Sequence, residues 1–181
     1  VTFEPNVVTV SNSHPDHSCL NDIQGDYRLL EGPGEYAVSG VYVRGIMTSS
    51  DSENLGQRRN TAYFLETDGL RICHLGDISS VLSEKQVDEL TPVDILFLPV
   101  GGNCTLGLEH LSGTVNTLEP KIVVPMHYKT LETDGDLNDL SGFLREMGVR
   151  EPDPRPHLSV TDTSLPGEIT VVVLNTSDIR S

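Results

Sequence analysis

The 181-residue sequence has no tryptophan, five tyrosines and four phenylalanines. A core of stacked aromatics is therefore excluded, and valine, leucine and isoleucine have to fill the interior. Basic residues are scarce: 12 Lys and Arg stand against 27 Asp and Glu, a formal net charge of -15. That balance excludes a non-specific nucleic-acid binder, which draws its affinity from phosphate neutralisation. It also excludes polybasic attachment to an anionic membrane surface. Its plain meaning is solubility. The three cysteines, Cys19, Cys73 and Cys104, are far apart, odd in number and lack a C-x-x-C pair. They point away from a disulfide framework and toward a reducing, cytoplasmic compartment. No apolar run approaches the roughly 20 residues of a membrane-spanning helix, and no secretory leader is visible. The chain begins at Val1 rather than methionine, and a strand candidate follows almost at once, so the expectation is a fragment lacking its first strands.

What is present reads as one domain over residues 1–181, without repeats, low-complexity tracts or long linkers. Val7–Val10 is a short β-branched run, hence a buried strand. A helical turn is expected at 21–25 and a Pro/Gly turn at 31–34. Residues 36–46 form a hairpin bent at Ser39-Gly40. A second hairpin, 61–66 with 70–75, turns at Asp68-Gly69, a pair suited to positive φ. Ser83 caps a helix, with Gln86 as its capping-box partner. Buried strands follow at 94–100 and 121–126, separated by a helix that Thr105 caps. Leu137, Leu140, Phe143, Leu144 and Met147 recur at helical spacing, and Gly148 closes that helix. Strands at 158–160 and 169–174 end the chain. Hairpins followed by strand–helix alternation define a layered α/β or α+β fold.

Three of these strands end in groups that bind metals. After Val7–Val10 comes His14-Pro15-Asp16-His17; after 70–75 comes Gly76-Asp77; after 121–126 comes His127. Sites in open α/β sheets form beyond the carboxyl ends of strands, and metal centres need imidazoles and carboxylates converging from separate rigid elements. Taken singly, the first two motifs are more readily solvated turns, and a histidine after a buried strand is as readily a hydrogen-bonding residue as a ligand; their order along the chain carries the signal. Pro15 stiffens the first loop. Carboxylate with imidazole suits zinc, manganese or iron. His74, inside its strand, reads as a buried structural histidine, and Cys73 and Cys104 need no thiol chemistry.

The order strand–H-x-D-H, strand–G-D, strand–H resembles that of the metallo-β-lactamase-like hydrolases, and in particular their small bacterial and archaeal Zn-dependent branch, similar to L-ascorbate-6-phosphate lactonase-like proteins. The carrying segments are Val8-Thr9-Val10-Ser11, His14-Pro15-Asp16-His17, Gly32-Pro33-Gly34-Glu35-Tyr36, Asn60-Thr61, His74-Leu75-Gly76-Asp77, Pro99-Val100-Gly101-Gly102 and Pro125-Met126-His127-Tyr128. The resemblance implies an αβ/βα sandwich of two mixed sheets with outer helices. It implies hydrolysis of a small-molecule ester, lactone or phosphoester by metal-activated water, and a possible homo-oligomer. Asp16, His17, Asp77 and His127 are the implied metal ligands, with Asp16 and Asp77 also catalytic. His14 is the implied partial ligand of a second site or a transition-state donor. The chain departs from the family's H-x-H-x-D-H at Asn12, and Ser50 falls where a further histidine belongs. About one zinc, manganese or iron ion per chain is therefore expected. The competing reading is a degenerate, non-catalytic member acting in binding or assembly. Nucleic-acid processing, as in nuclease relatives, is disfavoured by the charge.

Overall fold

The structure, a computed structural model, describes residues 4–15, 17–48, 59–102, 105–131 and 136–175. Among the described residues, nine strands lie in two sheets. The smaller is a parallel pair of β1 (Val7–Val10) and β2 (Arg28–Glu31). The larger runs in chain order through β3 (Gly34–Val38), β4 (Val41–Met47), β5 (Thr61–Thr67), β6 (Leu70–His74), β7 (Ile95–Pro99), β8 (Ile122–Met126) and β9 (Thr170–Val171). Its first four strands are antiparallel; β3 and β4 turn at Ser39-Gly40 and β5 and β6 at Asp68-Gly69, with Ser39 and Asp68 at φ 53° and 50°, while residues 48–60 separate β4 from β5. From β6 to β9 all pairing is parallel. The larger sheet is thus the mixed one.

Alternation along β7 shows why the apolar runs are continuous. Leu96 and Leu98 face the cluster that holds Leu90, Leu111, Val115, Leu118 and Phe143. Ile95 and Phe97 face Ile122, Val124 and Val172 on the other side. A strand buried on both faces needs no polar alternation. The helices α1 (Glu84–Leu90), α2 (Leu108–Leu118) and α3 (Ser141–Glu146) supply that first cluster. On the opposite face, β2 brings Leu30 onto Val43 and Tyr63. The Tyr63 hydroxyl joins the two sheets: its single proton is shared between the carbonyls of Val10 and Leu30, at 3.0 and 2.9 Å, and it accepts from Gly32 N at 3.0 Å. Burial pushes this phenol up to about 12, so the proton it donates is retained at neutral pH.

Several expectations are corrected. Ser83 does cap α1 with the full capping box. Thr105 does not cap α2. Its hydroxyl donates to Gly102 O, and the helix begins at Leu108 after Gly107. Leu137 lies outside α3, which starts at Ser141, because Asp139 accepts from the Ser141 N–H and competes with an earlier start. Residues 158–160 form no strand, and β9 is two residues long. Residues 21–25 make turns rather than a helix. Strand β2 was not expected from its sequence, since Arg28 and Glu31 interrupt the apolar run.

Asp94 closes the lower end of the sheet. Its carboxylate, 2% exposed, accepts from Arg71 Nε at 2.8 Å, Nη2 at 2.7 Å and backbone N at 2.8 Å. The Arg71 hydrogen bonds hold this acid below its ordinary 3.8, against the opposing effect of burial. A carboxylate with a depressed native pKa stabilises the fold above its unfolded pKa, and that contribution drains away as pH falls through the native value. Asp94→Asn should therefore lower stability at pH 7 by about 1.5–3 kcal/mol. It should also flatten the acid limb below pH 3.8. Urea unfolding of both proteins between neutral and acid pH checks this; parallel curves across the whole range would contradict it.

Candidate metal centre

The loop after β1 supplies the first imidazoles. His17 N donates to His14 O at 2.8 Å, closing a turn over Pro15. The Ser18 hydroxyl donates to the same carbonyl at 2.9 Å. The His14 and His17 rings lie 5.9 Å apart. Asp77 follows β6 through a tight turn. Gly76 sits at φ +63°, where a Cβ would collide with Asn60 Oδ1 and approach Ser11 Cβ to 2.8 Å. Only glycine satisfies both demands there. His74 Nδ1 accepts from Gly76 N at 3.1 Å, so this histidine shapes the turn. Burial lowers its pKa and keeps it neutral, the form that can accept. His127 directly follows β8 in the left-handed region, at φ 51°.

Sequence reading missed the role of Asn60. This residue, 3% exposed, accepts from Asp77 N at 2.8 Å and donates to Leu75 O at 2.8 Å and Thr48 Oγ1 at 2.6 Å. It thereby fixes the Asp77 backbone from a neighbouring strand. An isolated polar residue directly before an apolar β-run was the available signal. Asn12 forms an isolated antiparallel bridge to Asn60.

These elements bring His17, Asp77 and His127 together, with one candidate ligand atom from each lying within 4.8 Å of the others. His17 Nε2 is 3.7 Å from Asp77 Oδ2, and His127 Nε2 is 3.7 Å from Asp77 Oδ1. The two rings approach edge to face at 5.2 Å. Both N···O distances exceed the roughly 3.2 Å limit of a good hydrogen bond. They are close to the ~3.4 Å separation of two ligands on one tetrahedral ion with bonds near 2.1 Å. Asp77 Oδ1 is buried without a hydrogen-bond partner, an arrangement that costs free energy unless a cation compensates. Burial pushes the His127 imidazole below its ordinary value; the Asp77 carboxylate opposes this and His17 reinforces it. Neutral imidazole is the ligating form. The donor set fits a divalent transition metal.

Asn12 lies between His14 and this cluster. Its Nδ2 donates to Asp77 Oδ2 at 3.3 Å, and its Oδ1 accepts from His14 N at 2.9 Å. Asp16 and Ser50 lie outside the described residues. Burial raises the Cys73 thiol far above neutrality, as suits a packing residue.

Histidine and carboxylate groups gathered at the ends of sheet strands make a candidate metal centre. The chain belongs to the β-lactamase superfamily: the model of the "Beta-lactamase superfamily domain" matches residues 2–127. It is 34% identical over 122 residues to a UPF0173 metal-dependent hydrolase of Staphylococcus carnosus, covering 67% of this chain and 50% of that protein. It is 35% identical over 104 residues to one from Pyrococcus abyssi, covering 55% and 44%. The chain thus spans half or less of the curated relatives it matches. A Thermotoga maritima structure, assigned as a Zn-dependent hydrolase of the metallo-β-lactamase superfamily, superposes with a TM-score of 0.77 at 30% identity, covering 94% of this chain and 82% of that one. The αβ/βα sandwich is therefore the fold. The finer likeness to ascorbate-6-phosphate lactonase-like proteins is not carried by these matches. Among the described residues no helix is long and apolar enough to cross a membrane.

Proposed function

We propose that the protein is a metal-dependent hydrolase of a small-molecule ester, lactone or phosphoester. Asp16, His17, Asp77 and His127 would hold one zinc, manganese or iron ion; Asp16 enters from the sequence motif alone. The observation that supports this most is the buried Asp77 Oδ1, unpaired by any hydrogen bond and facing His127 Nε2. A bound divalent ion would supply Lewis acidity toward a water and toward the oxygen of the carbonyl or phosphoryl group whose carbon or phosphorus is attacked. Asp77 holds its carboxylate by the backbone contact to Asn60 and can receive a proton at Oδ2, which the Asn12 amide steadies. Asn12 itself is a neutral amide and no general base. His14, whose backbone N–H donates to Asn12 Oδ1, would donate to charge developing on the substrate.

The cysteine pattern and charge support a cytoplasmic protein acting on a small molecule rather than on nucleic acid or membrane. The relatives' names support hydrolysis but say nothing of the substrate. Zinc-loaded protein should hydrolyse members of an aryl ester, lactone and phosphoester panel. Dipicolinate should abolish the activity, and added Zn2+ or Mn2+ should restore it. Activity that survives exhaustive chelation would overturn the reading. Tight metal binding without any turnover would favour the alternative, a binding or assembly module that keeps the fold.

A further inference from the structure

A cavity of about 350 Å3 opens beside the metal cluster. Ser11, Asn12, Glu31, Gly32, Met47 and Arg59 line it, so it sits beyond the carboxyl ends of β1, β2 and β4. Asn12 belongs to both places: it lines the cavity and donates to Asp77. A molecule seated there reaches the cluster across one side chain.

Arg59 gives the cavity its chemistry. The residue is exposed and makes no hydrogen bond or ion pair among the described residues. Arg44, Arg71 and Arg155 pair with Glu35, Asp94 and Asp153. Arg28, Arg145 and Arg150, like Arg59, carry no ion pair among the described residues, and of these unpaired arginines Arg59 is the one in this cavity wall. In a chain of net charge -15, acidic side chains are abundant, yet none of the described ones pairs with this guanidinium. Glu31 shares the wall without forming an ion pair to it. The surrounding field repels polyanions, while one unneutralised guanidinium accepts a single oxyanion group through its planar fork of donors.

Resting on the hydrolase reading, we propose that this cavity is a substrate subsite and that Arg59 binds one terminal anionic group, a carboxylate or a phosphate, on the part of the substrate that is not attacked. Arg59 is then a specificity-determining residue. Glu31 limits the subsite to a single such group.

The test uses three matched esters on zinc-loaded protein: phenyl acetate, 4-acetoxybenzoate and 4-acetoxyphenyl phosphate. Arg59→Ala should raise KM about 10- to 100-fold for an anionic ester, as expected for losing a charge-assisted hydrogen-bonded pair. KM for phenyl acetate and all kcat values should stay within about twofold, and Arg59→Lys should recover part of the loss. The anionic ester with the larger effect identifies carboxylate or phosphate as the group bound. Equal effects on all three esters, or none, would overturn the subsite while leaving hydrolysis standing. Calorimetric titration with 4-hydroxybenzoate, 4-hydroxyphenyl phosphate and phenol gives a readout independent of turnover. Arg59-dependent binding of an anionic phenol by a protein that cleaves no ester would sink the hydrolase reading and keep the subsite. Binding that is indifferent to Arg59 would remove the subsite whatever the activity.

Discussion

Titrated with zinc, the protein should take up about one ion per chain tightly and a second only weakly. Asn12 carries this expectation. Both ends of its amide are engaged, Nδ2 with Asp77 Oδ2 and Oδ1 with His14 N, and a neutral amide oxygen is a poor zinc ligand beside imidazole and carboxylate. His14 alone, with at most a shared Asp77, does not hold a second ion. Asp77→Asn should reduce the affinity of the tight site by more than about 100-fold, beyond the ~10- to 100-fold cost of losing a supporting partner of a ligand. The asparagine keeps the shape but removes the charge between His17 and His127. The pair Asn12→His and Ser50→His should bring in the second ion, since the sequence motif puts a histidine at each position and Asn12 already contacts Asp77. Metal content after dialysis, followed by competition with a chromogenic chelator, reads all three proteins. Two tightly held ions in the wild type would refute the argument. Absence of metal from wild type and double variant alike would favour the non-catalytic reading.

Asn60→Ala should damage stability and metal binding together. The buried amide satisfies Asp77 N, Leu75 O and Thr48 Oγ1. Alanine leaves these groups without their partner in a site too enclosed for easy solvation. At about 1–3 kcal/mol for each buried group left unsatisfied, partial relaxation included, the loss should be near 3 kcal/mol. The freed Asp77 backbone should also cost about 10- to 100-fold in zinc affinity. Asp94→Asn is the contrast. It sits at the other end of β7 and should lower stability while leaving zinc affinity within about twofold, since distant sites without shared partners act independently. Urea denaturation of the metal-free proteins, paired with zinc competition, separates the two. If Asn60→Ala lost stability yet bound zinc normally, Asn60 would be a packing residue and not a support of the site.

Much of this is legible in the sequence, for identifiable reasons. The hairpins announce themselves because Ser39-Gly40 and Asp68-Gly69 are turn chemistry between β-branched runs. The capping box of α1 is a local pattern and forms as read. The placement of His17, Asp77 and His127 at strand ends could be read because each follows a run of apolar residues long enough to be a strand. Other features depend on tertiary context. Strand β2 is held by parallel pairing to β1 and by Leu30 packing on Tyr63, and Arg28 and Glu31 disguise it. Thr105 looks like a cap but spends its hydroxyl on Gly102 O. The supporting role of Asn60 depends on a contact across 17 residues to Asp77. Nothing in the local sequence marks Arg59 as part of a cavity wall.

The parallel half of the larger sheet has one further geometric consequence. Asp77 and His127 leave from β6 and β8, which flank β7, and alternate strands in a sheet stand roughly 9.5 Å apart. Side chains from both must lean across the end of the strand between them. That strand can contribute no bulk of its own there. It runs out through Val100 into Gly101 and Gly102, and a Cβ at Gly101 would collide with the carbonyl oxygen of His127 and meet Leu137 Cδ2 at 3.1 Å. The middle strand therefore serves the centre as a clearing rather than as a donor: the gap it leaves lets two side chains rooted two strands apart face the same point.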